Sequence, residues 1–364
     1  LTTLTPPLPD AAAGEAARGS AARDRQDTRD QRRGRLSDLS ALLKARLVGL
    51  VLLTTAAGFV MAERGPLRWD TLLLTLLGTA MVAGSAMVLN QLLEVERDAL
   101  MQRTRLRPLP AGRIGNSSAL LLGGALGVLG IGGLLLLVHP LAAILAGANL
   151  LLYAFVYTPL KTRTTLNTVV GAVTGAIPPM IGWAAAAGSV DPRTQWGAWL
   201  LGSILFLWQL PHFLALAWMY REDYSRGGFR MLPQVDRDGR LTAQVVLLSS
   251  LALIPASLMA VGGGLAGPLY ALGAFLLGLM MVALAVGLMR ARTDRAARRV
   301  FFASLFYLPL LLGLMVFDHD WQHLRAPEGE ARSRVESAPS TGPSSTLPAS
   351  PVAPSADAAR ALPH

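Results

Sequence analysis

The sequence predicts an all-α, polytopic membrane protein with nine transmembrane helices. Three observations lead there. Of 364 residues, 52% are hydrophobic and only 15% charged, whereas a soluble domain carries about 25% charged residues. Apolar runs of roughly 18 residues or more, long enough to cross a bilayer, recur at 44–62, 71–92, 118–138, 141–158, 167–187, 195–219, 243–262, 267–289 and 299–317. These runs also lack the polar face that a buried helix of a large soluble protein would show, as "LLLTLLGTAMVAGSAMVL" and "LLLGGALGVLGIGGLLLLV" illustrate.

Taken in order, the spans organise the charge. With the N-terminus inside, Lys and Arg number nine up to Arg46, five at 94–117, two at 158–166, five at 220–240 and five at 290–299, while the short loops on the other side hold Arg64, Arg68 and Arg193. That asymmetry is the positive-inside signal and places the N-terminus in and the C-terminus out. The net charge of +10 is therefore topogenic. Nucleic-acid binding would gather it on one soluble face with aromatics interleaved, so no nucleic acid is expected as a partner. The chain has no cysteine, which removes thiolate catalysis, Cys-based metal sites and covalent c-type haem attachment.

Residues 1–40 are polar and mixed in charge and read as a disordered cytoplasmic arm. They lack the short apolar core of a signal peptide. Asp10, Glu15, Asp24, Asp27 and Asp30 argue against a mitochondrial transit peptide. Residues 41–318 form the membrane domain, and 319–364 a second disordered tail rich in Pro, Ser and Ala.

Charged groups at membrane depth cost roughly 2.5–3.5 kcal/mol each near the centre, and here they gather at the inner ends of the second, fourth, fifth and sixth helices. The stretch "MVLNQLLEVERDALMQRTRLRPLPAGR" (87–113) turns from apolar helix to dense polar sequence. On a helix, Asn90, Glu94 and Asp98 share one stripe spanning about 12 Å. Oxygen donors of this kind suit a hard cation such as magnesium, which takes few protein carboxylates and completes its shell with phosphate oxygens and water. Arg103, Arg105, Arg107 and Arg113 follow, and guanidinium forks suit phosphate. Two readings stand side by side: a metal–diphosphate lies between acids and arginines, or the group is an interfacial salt-bridge patch, with Arg105 and Arg113 serving topology in either case.

Two further loops share that end. In "YTPLKTRT", Lys161 and Arg163 follow Tyr153 and Tyr157, which could also be aromatic belt and topogenic charge. Pro178 and Pro179 in "GAIPPMIGW" are expected to break the fifth helix in mid-membrane. In "WQLPHFLALAWMYREDYSRGGFRMLP", Gln209 and His212 lie within the sixth helix, and Glu222 and Asp223 form a second acidic pair at its end.

These motifs together, the Asn90–Glu94–Asp98 spacing, "RPLPAG", "YTPLKTRT" with "GAIPPMIGW", and "WQLPHFLALA" with "EDYSRGGFRMLP", resemble the UbiA superfamily of intramembrane prenyltransferases, and within it the protohaem IX farnesyltransferase (haem O synthase) subfamily. The likeness runs from Lys44 to Phe317. It implies nine helices around a central cavity in a bacterial inner membrane, with the active site facing the cytoplasm. By motif position it implies Asn90, Glu94 and Asp98 as the first magnesium–diphosphate site, with Asp223 or its neighbour Glu222 as the second. It further implies Arg103, Arg107, Lys161 and Arg163 on the diphosphate. Position 94 is Glu where the superfamily most often has Asp.

The reaction so implied transfers farnesyl from farnesyl diphosphate to a vinyl group of haem B, with Mg²⁺ as cofactor, and water completes the hydroxyethyl arm of haem O. Asp98, Arg103, Lys161, His212 and Asp223 are the catalytic candidates. Tyr153, Tyr157, Trp208 and Phe213 could wall the allylic cation, since aromatic faces attract cations. His212 or Tyr224 positions the water or meets the haem. Farnesyl diphosphate, haem B and the bilayer are the expected partners, with a haem A synthase or terminal-oxidase assembly proteins as candidates downstream. A UbiA enzyme acting on a quinone precursor would keep the acids but lack "PHF". A cation-coupled transporter would place polar groups on both sides of the midplane. A haem-binding assembly protein would not need the Asn90–Asp98 stripe.

Overall fold

Hydropathy alone sets most of the architecture. The computed structural model describes Gly34 and residues 36–319; the arm expected over 1–40 and the tail expected over 319–364 otherwise lie outside the described residues. The described residues contain no β-strand. Residues 36–43 are helical and lead into α1 (Ala45–Ala62). There follow α2 (Trp69–Leu93), the short α3 (Val95–Leu100), α4 (Asn116–Leu137), α5 (Pro140–Leu151, continued by a π-helical turn, Leu152–Tyr157, and Thr158–Leu160), α6 (Asn167–Ala187), α7 (Trp196–Met219), the short α8 (Arg221–Arg226) and α9 (Leu232–Val235), then α10 (Arg240–Gly262), α11 (Pro268–Ala291) and α12 (Asp294–Phe317). Nine of these, α5 taken through Leu160, are long and apolar enough to span a membrane, and each coincides with an expected span to within a few residues.

Neighbours in sequence are mostly neighbours in space. α2 packs on α4, α4 on α5, α5 on α6, α6 on α7, α7 on α10, α10 on α11, and α11 on α12, which returns to α1 and α7. In lipid there is no hydrophobic drive between helices, so close backbone approach carries the association. The α2–α4 seam shows this. A Cβ at Gly130 would meet Val82 at 2.8 Å, and one at Gly127 would meet the Ser85 hydroxyl at 2.9 Å; that hydroxyl donates to the Gly123 carbonyl at 2.7 Å. The outward faces of α4 are apolar and bare: Leu121, Val128 and Leu136 are all exposed, as lipid-facing side chains must be.

α6 corrects one expectation. Pro178 and Pro179 do not break it, and the helix runs unbroken from Asn167 to Ala187. Proline removes a ladder bond and crowds the preceding turn, but here α1 clamps the segment: a Cβ at Gly58 would lie 2.0 Å from the Pro179 carbonyl oxygen, and one at Gly182 would lie 1.9 Å from that of Thr55. Backbone contact at the second proline and again one turn beyond it holds the two helices together along this segment.

Candidate active site

The end of the bundle where α2 finishes and α6 begins carries the buried charge. Leu93 closes α2, and Glu94 leaves helical geometry (φ −107°, ψ 7°) before α3 starts. The stripe survives this kink, because Glu94 N donates to Asn90 O at 3.1 Å and Asp98 N to Glu94 O at 2.8 Å. Asn90, Glu94 and Asp98 are 1%, 6% and 1% exposed. Each meets a different base. Lys44 Nζ donates to Asn90 Oδ1 at 3.0 Å, Lys161 Nζ lies 2.9 Å from Glu94 Oε1, and Arg107 Nη1 donates to Asp98 Oδ2 at 2.6 Å. Asn90 Nδ2 donates to Thr158 Oγ1 at 3.0 Å, so its amide is oriented with the oxygen toward Lys44.

Lys44, which by sequence position is topogenic charge, joins this buried group through Asn90. It sits at the foot of α1 in a left-handed backbone conformation (φ 49°, ψ 53°), unusual for a residue other than glycine. Burial pushes its ammonium down to about 7, Arg107 and Lys161 add to that, and Glu94 and Asp98 work against it. For Lys161 burial also disfavours the charge, but the Glu94 carboxylate beside it outweighs that and holds the ammonium above the ordinary lysine range. The available signal for Lys44 was its position, a base directly before a span at the end where Asn90 lies.

Asp223 forms a second group with a different construction. Its Oδ1 accepts from Gln102 N at 3.1 Å and its Oδ2 from Arg103 N at 3.0 Å, and Arg226 Nη1 donates to Oδ1 at 3.1 Å. Burial opposes its charge, but those two backbone donors, Arg226 and Arg103 hold the carboxyl below the ordinary carboxylate range. Arg103 lies over the rings of Tyr220 (4.7 Å) and Tyr224 (5.5 Å) and donates to the Tyr224 hydroxyl at 3.2 Å. Arg97 Nη1 donates to Gly227 O at 3.2 Å and closes α3 onto this loop.

The structure therefore gathers Asn90, Glu94, Asp98, Arg107 and Lys161 at one pole and Asp223 with Arg103 and Tyr224 beside it. Among the described residues no three acidic or histidine side chains converge as a ready metal cage. A polar recess of about 530 Å³ contains Arg103, Glu222, Asp223 and Arg226 but none of the α2 stripe. Of the adjacent acids, Glu222 is exposed and Asp223 is the one drawn inward. Arg163 is exposed, and its hydrogen bonds run through its backbone: its N–H donates to Leu160 O at 3.0 Å and its carbonyl accepts from Arg230 at 3.4 Å. Arg105 is exposed, and Arg113 pairs with Asp38 at 2.9 Å.

Next to the pole lies an apolar cavity of about 190 Å³. Its wall includes Tyr153, Tyr157, Trp208 and Phe213, together with Gln209 and His212. The π-helical turn at Leu152–Tyr157 was not foreseen. It widens the helix by one residue where Thr158 Oγ1 donates to Tyr153 O at 2.9 Å, and such turns concentrate at functional sites. Glycines bring the other walls close, since a Cβ at Gly171 would meet Tyr157 at 2.7 Å and one at Gly175 would meet Gln209 at 2.0 Å. Tyr157 joins cavity to pole, with Lys161 Nζ 4.7 Å from its ring centroid.

The chemistry of the pole fits a magnesium ion. Two carboxylates and an amide oxygen are the donor set it prefers. Only the Oε2 contact of Glu94 with Lys161, at 3.2 Å, has hydrogen-bond alignment, and buried Oε1 accepts no hydrogen bond.

Comparisons with known proteins follow the same lines. Residues 51–325 match the model of the UbiA prenyltransferase family. The chain is similar to the protoheme IX farnesyltransferase of Solibacter usitatus, with 43% identity over 78% of this chain and 99% of that one. It is 45% identical to that of Anaeromyxobacter dehalogenans over 76% of this chain and 92% of that one. In fold it is similar to a digeranylgeranylglyceryl phosphate synthase (TM-score 0.66, 15% identity, 78% of this chain and 98% of that one). It is also similar to a UbiA homolog from Archaeoglobus fulgidus bound to DMAPP and Mg²⁺ (TM-score 0.56, 14% identity, 76% and 99%). Matched motifs, nine spans and relatives similar over nearly their whole length make one assignment: the chain belongs to the UbiA prenyltransferase family.

Proposed function

We propose that this protein is a protohaem IX farnesyltransferase that joins the farnesyl group of farnesyl diphosphate to a vinyl carbon of haem B, giving haem O and diphosphate. The observation that carries the reading is the junction at Tyr157, where a pole of Lys44, Arg107 and Lys161 facing Asn90, Glu94 and Asp98 abuts an aromatic, apolar cavity. A diphosphate ester of a prenyl alcohol has this polarity: anionic at one end, hydrocarbon at the other. Relatives 42–45% identical bear the same name.

Lys44, Lys161 and Arg107 bind the diphosphate, with Arg103 reaching it from the α8 side. Their charges oppose the charge that grows on the leaving group as the allylic C–O bond ionises. Asn90, Glu94 and Asp98 would hold Mg²⁺, with Asp223 approaching from the second group, and the bound ion supplies further neutralisation of the diphosphate. With the ion bound, the carboxylates would exchange their basic partners for it and leave Lys44, Lys161 and Arg107 free for phosphate oxygens. Tyr157 and Tyr153 present ring faces to the developing cation, Trp208 and Phe213 close the opposite wall, and the dry cavity excludes premature water. Burial of the tail gains little, because a chain at about 0.8 kcal/mol per CH₂ already leaves water for lipid; the cavity supplies orientation.

The positive-inside asymmetry supports an N-terminus in the cytoplasm, a C-terminus outside and a pole facing the cytoplasm of a bacterial inner membrane. A haem A synthase or oxidase assembly proteins would then take the product. The test is turnover: purified protein in detergent receives haem B, farnesyl diphosphate and Mg²⁺, and haem O is followed by mass. Formation of haem O, lost in Asp98→Asn with the fold retained, is the expected result. An active Asp98→Asn protein would remove the metal site, and no haem O from the unaltered protein would remove the reading itself.

A further inference from the structure

His212 lies in the cavity wall on α7, and its hydrogen bonding fixes which nitrogen is available. Its Nδ1 is 2.9 Å from Ser304 Oγ on α12. That hydroxyl already donates its one proton to Phe301 O at 2.6 Å, and a serine hydroxyl has a single proton to give. Ser304 can therefore only accept from the ring. Nδ1 carries the hydrogen, and Nε2 is left as a lone pair.

The ring is held so that little but its edge is open. Trp208 stacks on it at 5.1 Å and 20°, Phe301 at 4.9 Å and 28°, and Phe213 meets it edge-on at 5.4 Å. Trp208 is itself tied down, its Nε1 donating to Ser304 O at 2.7 Å. Among the described residues, no protein group partners Nε2. The ionisable side chains lining the cavity are His212, Tyr153 and Tyr157. Phenols with ordinary pKa near 10 are protonated at neutral pH, so His212 Nε2 is the one proton acceptor there.

The level is also right for the chemistry. Gln209 packs against Gly175 and Tyr157 against Gly171, one turn nearer the charged pole along α6. His212 lies about one turn beyond Gln209 in the same direction, close to the level of Tyr157. That level is the pole-side part of the cavity, where Lys161 Nζ lies 4.7 Å from the Tyr157 ring centroid.

We propose that His212 Nε2 takes the proton from the water that adds to the prenylated vinyl group. This rests on the farnesyltransferase reading. The farnesyl C1–O bond breaks, and its electron pair leaves with diphosphate. The vinyl π pair forms the new bond from its terminal carbon to C1, which leaves the positive charge on the vinyl carbon attached to the porphyrin. Water oxygen bonds that carbon, and its proton passes to Nε2. No electron is gained or lost overall. The resulting imidazolium is flanked by the Trp208 and Phe301 faces, which attract cations, and gives its proton to bulk water after product release.

The test compares the unaltered protein with His212→Gln and Ser304→Ala, each checked for an unchanged melting temperature in detergent. Haem B and farnesyl diphosphate binding, kcat as a function of pH, and product mass are measured. For His212→Gln the expected result is unchanged affinity for both substrates and kcat lower by about a hundredfold or more. The acid limb of the pH profile should disappear, and a product lighter by one water should form, because the cation loses a proton instead. Ser304→Ala, which frees the tautomer, is expected to lower kcat less and to keep the acid limb. A kcat for His212→Gln within about twofold of normal, with haem O as sole product, overturns the proposal. Loss of haem B binding with a changed haem absorption spectrum overturns it in favour of iron ligation. If the unaltered protein makes no haem O, the parent reading has failed; if it does and His212→Gln does equally, only this one has.

Discussion

The two acidic groups at the charged end are built in opposite ways. Glu94 and Asp98 are buried, and each meets a single flexible base, Lys161 or Arg107. Asp223 is half-buried and takes its main support from backbone, the N–H groups of Gln102 and Arg103. An ion pair between side chains can be exchanged for a substrate anion and a cation without moving the chain. A carboxylate that caps backbone donors holds a loop, and here that loop carries Arg103 and Arg107. One group is thus arranged to change partners, while the other keeps the arginine loop where those partners are needed.

The largest effect is expected from Asp98→Asn. It keeps the shape and an acceptor for Arg107 but removes the charge. Haem O formation is expected to fall by about a thousandfold, since removing one oriented electrostatic contact already costs 10²–10³. The melting temperature should fall less than on loss of a fully buried partner, because Arg107 is 25% exposed and keeps an acceptor. Next comes Lys161→Met. Taking one partner from a buried pair costs about 3–5 kcal/mol because it leaves a buried charge alone, so a lower melting temperature and weaker farnesyl diphosphate binding are expected together. The double variant Lys161→Met/Glu94→Gln should regain most of the stability and none of the activity.

A smaller effect is expected at the second group. Asp223→Ala should loosen residues 101–105, read as faster amide exchange there, and raise KM for farnesyl diphosphate more than it lowers kcat. Because the Asp223 carboxyl titrates below its ordinary range in the folded chain, its support is present above the normal carboxylate pKa and lost as pH falls through the depressed one. The amides of Gln102 and Arg103 should therefore exchange faster only in strong acid. The smallest effect belongs to Arg113→Ala. Its pair with Asp38 is exposed (46% and 24%), and such pairs contribute about 0–1 kcal/mol, so turnover and melting temperature should hardly change. A large loss of activity there would extend the diphosphate group beyond Arg107.

Hydropathy made nine helices legible because each span is apolar over its own length, a local property. The Asn90–Glu94–Asp98 stripe was legible for the same reason: helical periodicity survives the kink at Glu94. Lys44 was not, because its meaning comes from Asn90, 46 residues away, and a base before a span otherwise reads as topology. The hydrogen bond from His212 to Ser304 crosses 92 residues and has no trace in either local pattern. Pro178 and Pro179 misled for a related reason. Proline predicts a break from its own chemistry, while the clamp that prevents one comes from Gly58 and Thr55 on another helix.

If the buried pole holds a metal–diphosphate at the mouth of the apolar cavity, calorimetric binding of farnesyl diphosphate to the full chain in detergent must depend on both the ion and the acids. Affinity should fall by about a hundredfold, roughly 2.7 kcal/mol, when Mg²⁺ is chelated, and by a similar factor in Glu94→Gln/Asp98→Asn with Mg²⁺ present, without the two losses adding. Equal affinity with and without the ion, in a double variant that still folds, would contradict it.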